Sequence, residues 1–587
     1  MSPLNFHNPT SISTPQLARN SSTNFTPPRA LIIFTILLTI AILALRITAP
    51  SDIHDQTQPK TIAYTVDIAL HPTDWKAWVL PLENHEFPAT KPPLYNWLAV
   101  PFVALTRGQY EWAHKVPSIL AFLLLGGLII FTLRRIDPRT PSTPYIGFLL
   151  FAGNYMFFKL AYLARPDTIL TLFLVLGWVA GTLLVIRGRS SLYDEDSTNK
   201  PRMLKLIFWL SVALAMLAKG PVAVLIPLTF IVLLWFVPDN SFSSTKEVPT
   251  LRSRFHPRYL MRLFARASRL SGAGWGIPLA IFPFALWFSL AWWINPDHVY
   301  GTFIRKEIVD RVLGIGDDPA SSHSLWDFVI TLPAMPGTFI IRYFPWTIFF
   351  IGALVDLFGK KRCDRKRGFP DIAFNRDDHQ KVDQYDRALT LRIWLISAIV
   401  STIVPIVFFS FSIGKRGDYI AASFIPASIL VAYWFNHLGL QLACKRPRLV
   451  PILAMVTIAV LGYCAFTINL PARYPLGESL WEFAKTVRPV IDDTTNPLPV
   501  EFYRTGRNPI QSLLYRSQAD HAAASARRLQ EEKPFYLFVR SKYLDEFKNQ
   551  TQISHWQMSK IAQSRPAAGS PHSKPYQVFL YRMTPKG

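Results

Sequence analysis

Residues 163–189 read LARPDTILTLFLVLGWVAGTLLVIRGR, and this stretch decides the fold. From Thr168 to Ile186 no residue is charged, and about 20 consecutive apolar residues are what a helix needs to cross the hydrocarbon core of a bilayer. The backbone finds no water there, so a helix, which satisfies its own polar groups, is the form that spans. The charges stand at the ends: Arg165 and Asp167 before the run, Arg187 and Arg189 after it.

The same pattern recurs along the chain. Apolar runs near 31–48, 115–133, 143–162, 168–187, 204–218, 221–237, 275–294, 338–357, 390–411, 419–437 and 449–468 predict about eleven spans. With half of its 587 residues hydrophobic and only 17% charged, the composition is too apolar for an ordinary soluble multidomain protein. The formal charge of +24 sits in short loops between the runs and is not interleaved with exposed aromatics, which argues against a nucleic-acid surface. Five basic sets fall in every second loop: Arg134 to Arg139, Arg187 to Arg202, Lys246 to Arg269, Lys360 to Arg367 and Lys445 to Arg448. The positive-inside rule puts that side in the cytoplasm. Loops 49–114, 163–167, 218–221, 295–337, 412–418 and everything after 468 then face outward, across a cell (inner) membrane.

Residues 1–30, rich in Ser, Thr, Asn and Pro, are read as a disordered cytoplasmic tail before a retained first span. The segment 92–106 is apolar but short and broken by three prolines, which suits the outer interface better than a crossing. From 471 to 587 polarity rises, with strand-like Phe535–Val539 and Tyr576–Tyr581 and helix-prone Ala522–Glu532, as in a small outward α/β domain. Cys363, Cys444 and Cys464 have no paired spacing, so neither a disulfide framework nor a zinc site is expected.

Ionisable groups at span ends are functional candidates by default, because they are costly there unless paired or wet. They gather on the outward side. The first outward loop carries Asp52, Asp55, Lys60, Asp67 and Asp74 and ends in Thr90-Lys91-Pro92-Pro93-Leu94-Tyr95. Shorter loops give Arg165-Pro166-Asp167, Lys219-Gly220-Pro221 and Lys415-Arg416-Gly417-Asp418-Tyr419, and the long fourth loop holds Glu307, Asp310, Arg311 and His323. Carboxylates beside several cations suit a general base and a phosphate leaving group.

Taken in this order, the Lys91 to Tyr95 ending, Arg165 to Asp167, Lys219 to Pro221, Glu307 with Arg311, and Lys415 with Tyr419 resemble the aminoarabinose-transferase and protein-mannosyltransferase-like glycosyltransferases of the GT-C fold. The resemblance covers most of residues 30–470. It implies an all-α polytopic GT-C core that takes a sugar from a polyprenyl-phosphate donor and passes it to a lipid, glycan or protein acceptor outside the membrane. It further implies Asp55 as the carboxylate near the reacting centre and Asp167 as its support. Lys91, Lys219, Arg311, Lys415, Arg416 and Tyr419 would hold the donor phosphate, with Glu307 and Tyr95 supporting. The sequence departs from the family where Thr90 and Ile308 replace an acid and a histidine, so no divalent metal is expected between those loops and no cofactor is implied. Asp55-Gln56 also stands where the family has Asp-Glu, which leaves Asp52 and Asp67 as rivals to Asp55.

Plainer roles compete at each position. Asp167 can simply favour the start of its helix, Lys91 can snorkel to headgroups, and Glu307 with Arg311 has the spacing of a helical ion pair. Trp292, Trp293, Tyr343 and Trp346 read mostly as an interfacial belt. A transporter or flippase of lipid-linked sugars would also want outward cations, but it needs ionisable residues along a path through the midplane, and the spans are nearly free of them.

Overall fold

The computed structural model describes residues 29–49, 51–53, 57–138, 140–190, 200–237, 253–309, 330–359, 379–412, 415–437, 456–458, 460–462, 479–493, 497–505, 510–516, 528–564 and 577–586. The N-terminal tail, Asp55, Asp310, Arg311, His323, the three cysteines and most of 449–468 lie outside the described residues.

The quoted stretch forms α8, Asp167–Ser190, defined here with its neighbours: α1 Arg29–Thr48, α2 Thr57–Leu70, α3 Trp75–Val79, α4 Leu94–Thr106, α5 Glu111–Ile136, α6 Thr143–Ala152 and α7 Tyr155–Leu160. A hairpin of β1 Leu82–Glu83 and β2 Phe87–Pro88 lies between α3 and α4. Then come α9 Lys200–Lys219, α10 Leu225–Phe236, α11 Pro257–Ser271, α12 Ala273–Ile294 and α13 Pro296–Val299, which runs into a π-helix at Tyr300–Val309. The last helices before the tail are α14 Ala334–Tyr343, α15 Trp346–Gly359, α16 His379–Ser410 and α17 Ala421–His437.

Among the described residues, seven helical segments are long and apolar enough to cross a membrane, eight if α14 and α15, bent by 112°, count as one. Three of the eleven expected runs do not appear there as separate spans. The run 143–162 is broken at Asn154, whose side chain accepts from the Met156 amide and starts α7 afresh. The runs 204–218 and 221–237 form one helical segment, Pro201–Phe236, turned on a 3-10 element at Gly220–Val224. The Phe208 and Phe230 rings are 5.2 Å apart, whereas 22 residues of straight helix would separate them by about 33 Å. The two limbs therefore lie side by side, with Lys219 at their turn and Gly220 (φ +72°) supplying a backbone conformation that favours glycine. The last run, 449–468, falls mostly outside the described residues.

The 13 residues of α4 reach only about 20 Å, too short to cross, and they pack against α2 and α5. After the bundle, α18 (Leu480–Ile491) is capped by Ser479 on the Trp481 amide. Four strands follow: β3 Val500–Tyr503, β4 Phe535–Arg540, β5 Trp556–Gln563 and β6 Val578–Pro585, in the order β3-β4-β6-β5. The first pair is parallel and the other two are antiparallel. The expected strands at 535–539 and near 576–581 are β4 and β6. Trp481, Phe483 and Val487 of α18 share one apolar cluster with Ile62 and Val66 of α2, so this sheet domain is seated on the first loop.

Candidate active site

Helix α2 has two faces. Thr57, Lys60, Thr61 and Tyr64 follow a helical stripe that lines a cavity of about 680 Å³ of empty space, while Ile62 and Val66 point to the sheet domain. The opposing walls are Thr90, Lys91, Pro92, Tyr95 and Asn96, then Arg165, Pro166 and Asp167 at the start of α8, Lys219 at the α9 turn, and Arg416 and Tyr419 before α17. Asn96 fixes the width between α4 and α2 by donating to the Thr61 carbonyl (2.8 Å) and the Thr65 hydroxyl (2.9 Å). The buried Tyr95 hydroxyl lies 2.9 Å from the His114 carbonyl and 3.1 Å from that of Leu163, which steadies the backbone leading to Arg165.

The floor is an ionic chain. Asp167, 4% exposed, accepts from Lys219 at 2.5 Å and faces Arg165 at 3.4 Å. Arg165 also reaches Asp418 at 3.3 Å, and Asp418 is held by Arg342 at 2.9 Å and Lys159 at 3.3 Å. Lys219 stands 4.4 Å from the Tyr419 ring centroid, within cation–π range. Five cationic side chains, Lys60, Lys91, Arg165, Lys219 and Arg416, line the cavity together with one carboxylate, Asp167.

Of the residues singled out from sequence, the structure brings together Lys91, Tyr95, Asp167, Lys219, Arg416 and Tyr419. Lys415 is not on the cavity wall; its ammonium donates to Thr331 at 2.5 Å. Glu307 and Ile308 belong to the π-helix, and their side chains are outside the description, as are Asp55 and Arg311 altogether. Sequence reasoning passed over Lys60, Arg165 and Asp418, although all three stood in the loops it quoted. Lys159 and Arg342 carried a usable signal too, as ionisable residues within apolar helices.

The rival carboxylates of the first loop are engaged elsewhere. Asp67 accepts from the Leu82 amide at 2.8 Å and lies 3.3 Å from His71, which anchors the β1–β2 hairpin. Asp52 is clamped by Lys115 at 2.6 Å and Arg46 at 2.7 Å, and Lys115 also pairs with Glu111. Burial pushes the Asp52 carboxyl up, but Lys115 and Arg46 outweigh it and hold the group well below the usual carboxylate range. Among the described residues no three His, Cys, Asp or Glu side chains cluster as metal ligands, and Thr90 offers the cavity only a hydroxyl.

Residues 90–251 match the sequence profile of the family described as dolichyl-phosphate-mannose-protein mannosyltransferase. No curated protein matches the chain. Its fold is similar to that of ArnT from Cupriavidus metallidurans bound to undecaprenyl phosphate, with a TM-score of 0.59 at 14% identity, over 94% of this chain and 97% of that one. The chain has the GT-C fold. The apo form of the same ArnT gives the same score and identity over 98% of its length. The archaeal oligosaccharyltransferase AglB from Archaeoglobus fulgidus, in complex with an inhibitory peptide and a dolichol-phosphate, aligns at a TM-score of 0.45 and 11% identity, over 88% of this chain and 70% of that one. Within this GT-C chain the profile match begins at Thr90 and takes in Lys91, Tyr95, Arg165, Asp167 and Lys219, the middle of the cavity wall.

Proposed function

We propose that this chain is a membrane glycosyltransferase that moves a sugar from a polyprenyl-phosphate donor to a hydroxyl acceptor on the cavity side of the bilayer. The observation that carries the reading is the excess, among the described residues, of five cations over one carboxylate around a single cavity at the end of the bundle. A donor phosphodiester bears one negative charge, and the departing polyprenyl phosphate develops a second. Cations fixed beforehand therefore favour the transition state over the bound donor, and more strongly beside lipid than in water. A protein of the same fold is bound to undecaprenyl phosphate, which fits this donor class.

In the proposed reaction the acceptor hydroxyl oxygen attacks the anomeric carbon and the carbon–oxygen bond to phosphate breaks. A carboxylate takes the hydroxyl proton, and configuration inverts. Lys60, Lys91, Arg165, Lys219 and Arg416 hold the phosphate, and Arg311 is proposed to join them. Asp55 is the proposed base. It is two residues from Thr57 in the chain, and Asp52, Asp67 and Asp167 each already serve charged or amide partners. Asp167 would orient Lys219 and Arg165.

The test is to incubate the purified chain in sealed vesicles with radiolabelled polyprenyl-phosphate sugars and a lipid and glycan extract, and to follow the label. Release of polyprenyl phosphate together with labelled acceptor supports transfer. Passage of intact lipid-linked sugar across the vesicle, with no transfer, would replace this reading by a flippase.

A further inference from the structure

Helix α11 is not used by the site. It lies at the far end of the bundle, where Leu270 fills the space beside Gly188 near the end of α8, the helix whose first residue floors the cavity. Its sequence, PRYLMRLFARASRLS, arranges three stripes. Tyr259, Leu263 and Ala267 are buried against the protein. On the opposite side Met261 is 72% exposed and Phe264 56%, with Phe255 just before the helix at 65%. Between these faces run Arg258, Arg262 and Arg269, all exposed. No acidic residue occurs from Ser253 to Ile294. Two further arginines serve the fold instead: Arg266 donates to the Val237 carbonyl at 2.7 Å and Arg254 to that of Trp235 at 3.1 Å, closing the end of α10.

The chain leaves α11 through Gly272 (φ +69°) and enters the apolar span α12 at once, with Trp275 46% exposed on its first turn. A helix fastened to the end of a span in this way lies where acyl chains meet headgroups. An apolar stripe flanked by arginines is the pattern of a helix that lies in that plane. We propose that α11 is an in-plane anchor that gathers anionic phospholipids on the membrane face opposite the cavity. Met261 and Phe264 enter the acyl boundary, and Arg258, Arg262 and Arg269 hold the phosphate-bearing headgroups. Charge complementarity, and continuity with the lipid-facing span, together favour a lipid surface.

The test uses the full chain with Cys363, Cys444 and Cys464 replaced by serine and a bimane fluorophore on Met261→Cys. It is reconstituted in vesicles containing equal mole fractions of dibrominated phosphatidylglycerol or dibrominated phosphatidylcholine. Quenching by both is expected, with the anionic lipid several-fold more effective, because each surface arginine favours it by roughly fivefold at low salt. In the Arg258→Gln, Arg262→Gln, Arg269→Gln variant the preference should vanish while quenching persists. No quenching by either lipid overturns the membrane seat, and equal quenching in the unsubstituted helix overturns the anionic-lipid site.

Discussion

Two ionic clusters stand on either side of the first loop, and they differ in balance. In the Asp52 cluster, Arg46 and Lys115 meet Asp52 and Glu111, cation for carboxylate, with Lys115 fully buried. In the cavity cluster, Lys159, Arg165, Lys219 and Arg342 share Asp167 and Asp418, and Lys60, Lys91 and Arg416 add further positive charge nearby. A buried neutral set ties α1, α5 and the loop together. A set whose described members carry surplus positive charge is the arrangement that an anionic ligand would complete. The lesson is that charge balance, more than the mere presence of ionisable groups, separates a fastener from a binding site.

Breaking the fastener should have the largest effect. Lys115→Ala strands two carboxylates beside α5, and removing one partner of a buried pair costs about 3–5 kcal/mol, so thermal unfolding in detergent should drop steeply. Next comes the base. Asp55→Asn should lower sugar transfer by on the order of a hundredfold or more while donor binding, followed by equilibrium dialysis of labelled donor, is kept. If Asp52→Asn abolishes transfer with donor binding and folding intact, the balanced cluster is catalytic and the contrast between the clusters fails.

Smaller changes sharpen the cavity side. Lys91→Ala and Lys219→Ala should each weaken donor binding by roughly ten- to a hundredfold, the worth of one charge-assisted hydrogen bond, with little change in unfolding temperature for Lys91→Ala and a drop for Lys219→Ala, which strands the buried Asp167. Unaltered donor binding in both would sink the phosphate assignment. Acid offers a further contrast. The Asp52 carboxyl is held low by Lys115 and Arg46, so its stabilisation is present above the unfolded value of about 4 and is lost as pH falls through the folded one. The unfolding temperatures of the native chain and Asp52→Asn should therefore differ at pH 7 and converge below pH 4. A chelator should change transfer least of all; activity abolished by it and restored by zinc would overturn the reading of Thr90 and Ile308.

The bundle was legible in the sequence because hydropathy is read residue by residue, and most of the long runs in the described residues form helices. Helix breaks were less so. Asn154 inside an apolar run looks innocuous until its side chain is seen capping the next helix. At the site, residues beside prolines and turns, such as Lys91, Asp167 and Lys219, announced themselves. Lys60 did not, because its selection depends on which stripe of α2 faces the cavity, and the loop sequence leaves that open. Asp418 was passed over because its partners, Lys159 and Arg165 on one side and Arg342 on the other, lie far from it in the chain, and pairing across such distances leaves no local pattern.

One consequence follows from the two faces of α2. The helix that supplies Lys60 and Tyr64 to the cavity rests its other side, through Ile62 and Val66, on Trp481, Phe483 and Val487 of the sheet domain. Arg488 of the same domain helix donates to the Gly108 carbonyl beyond α4, at 3.3 Å, so the helices on both sides of that wall are gripped from above. The domain is in effect a lintel over the opening of the cavity. A chain cut before residue 479 would retain every cavity-lining side chain and still lose the backing that keeps the opening at its width.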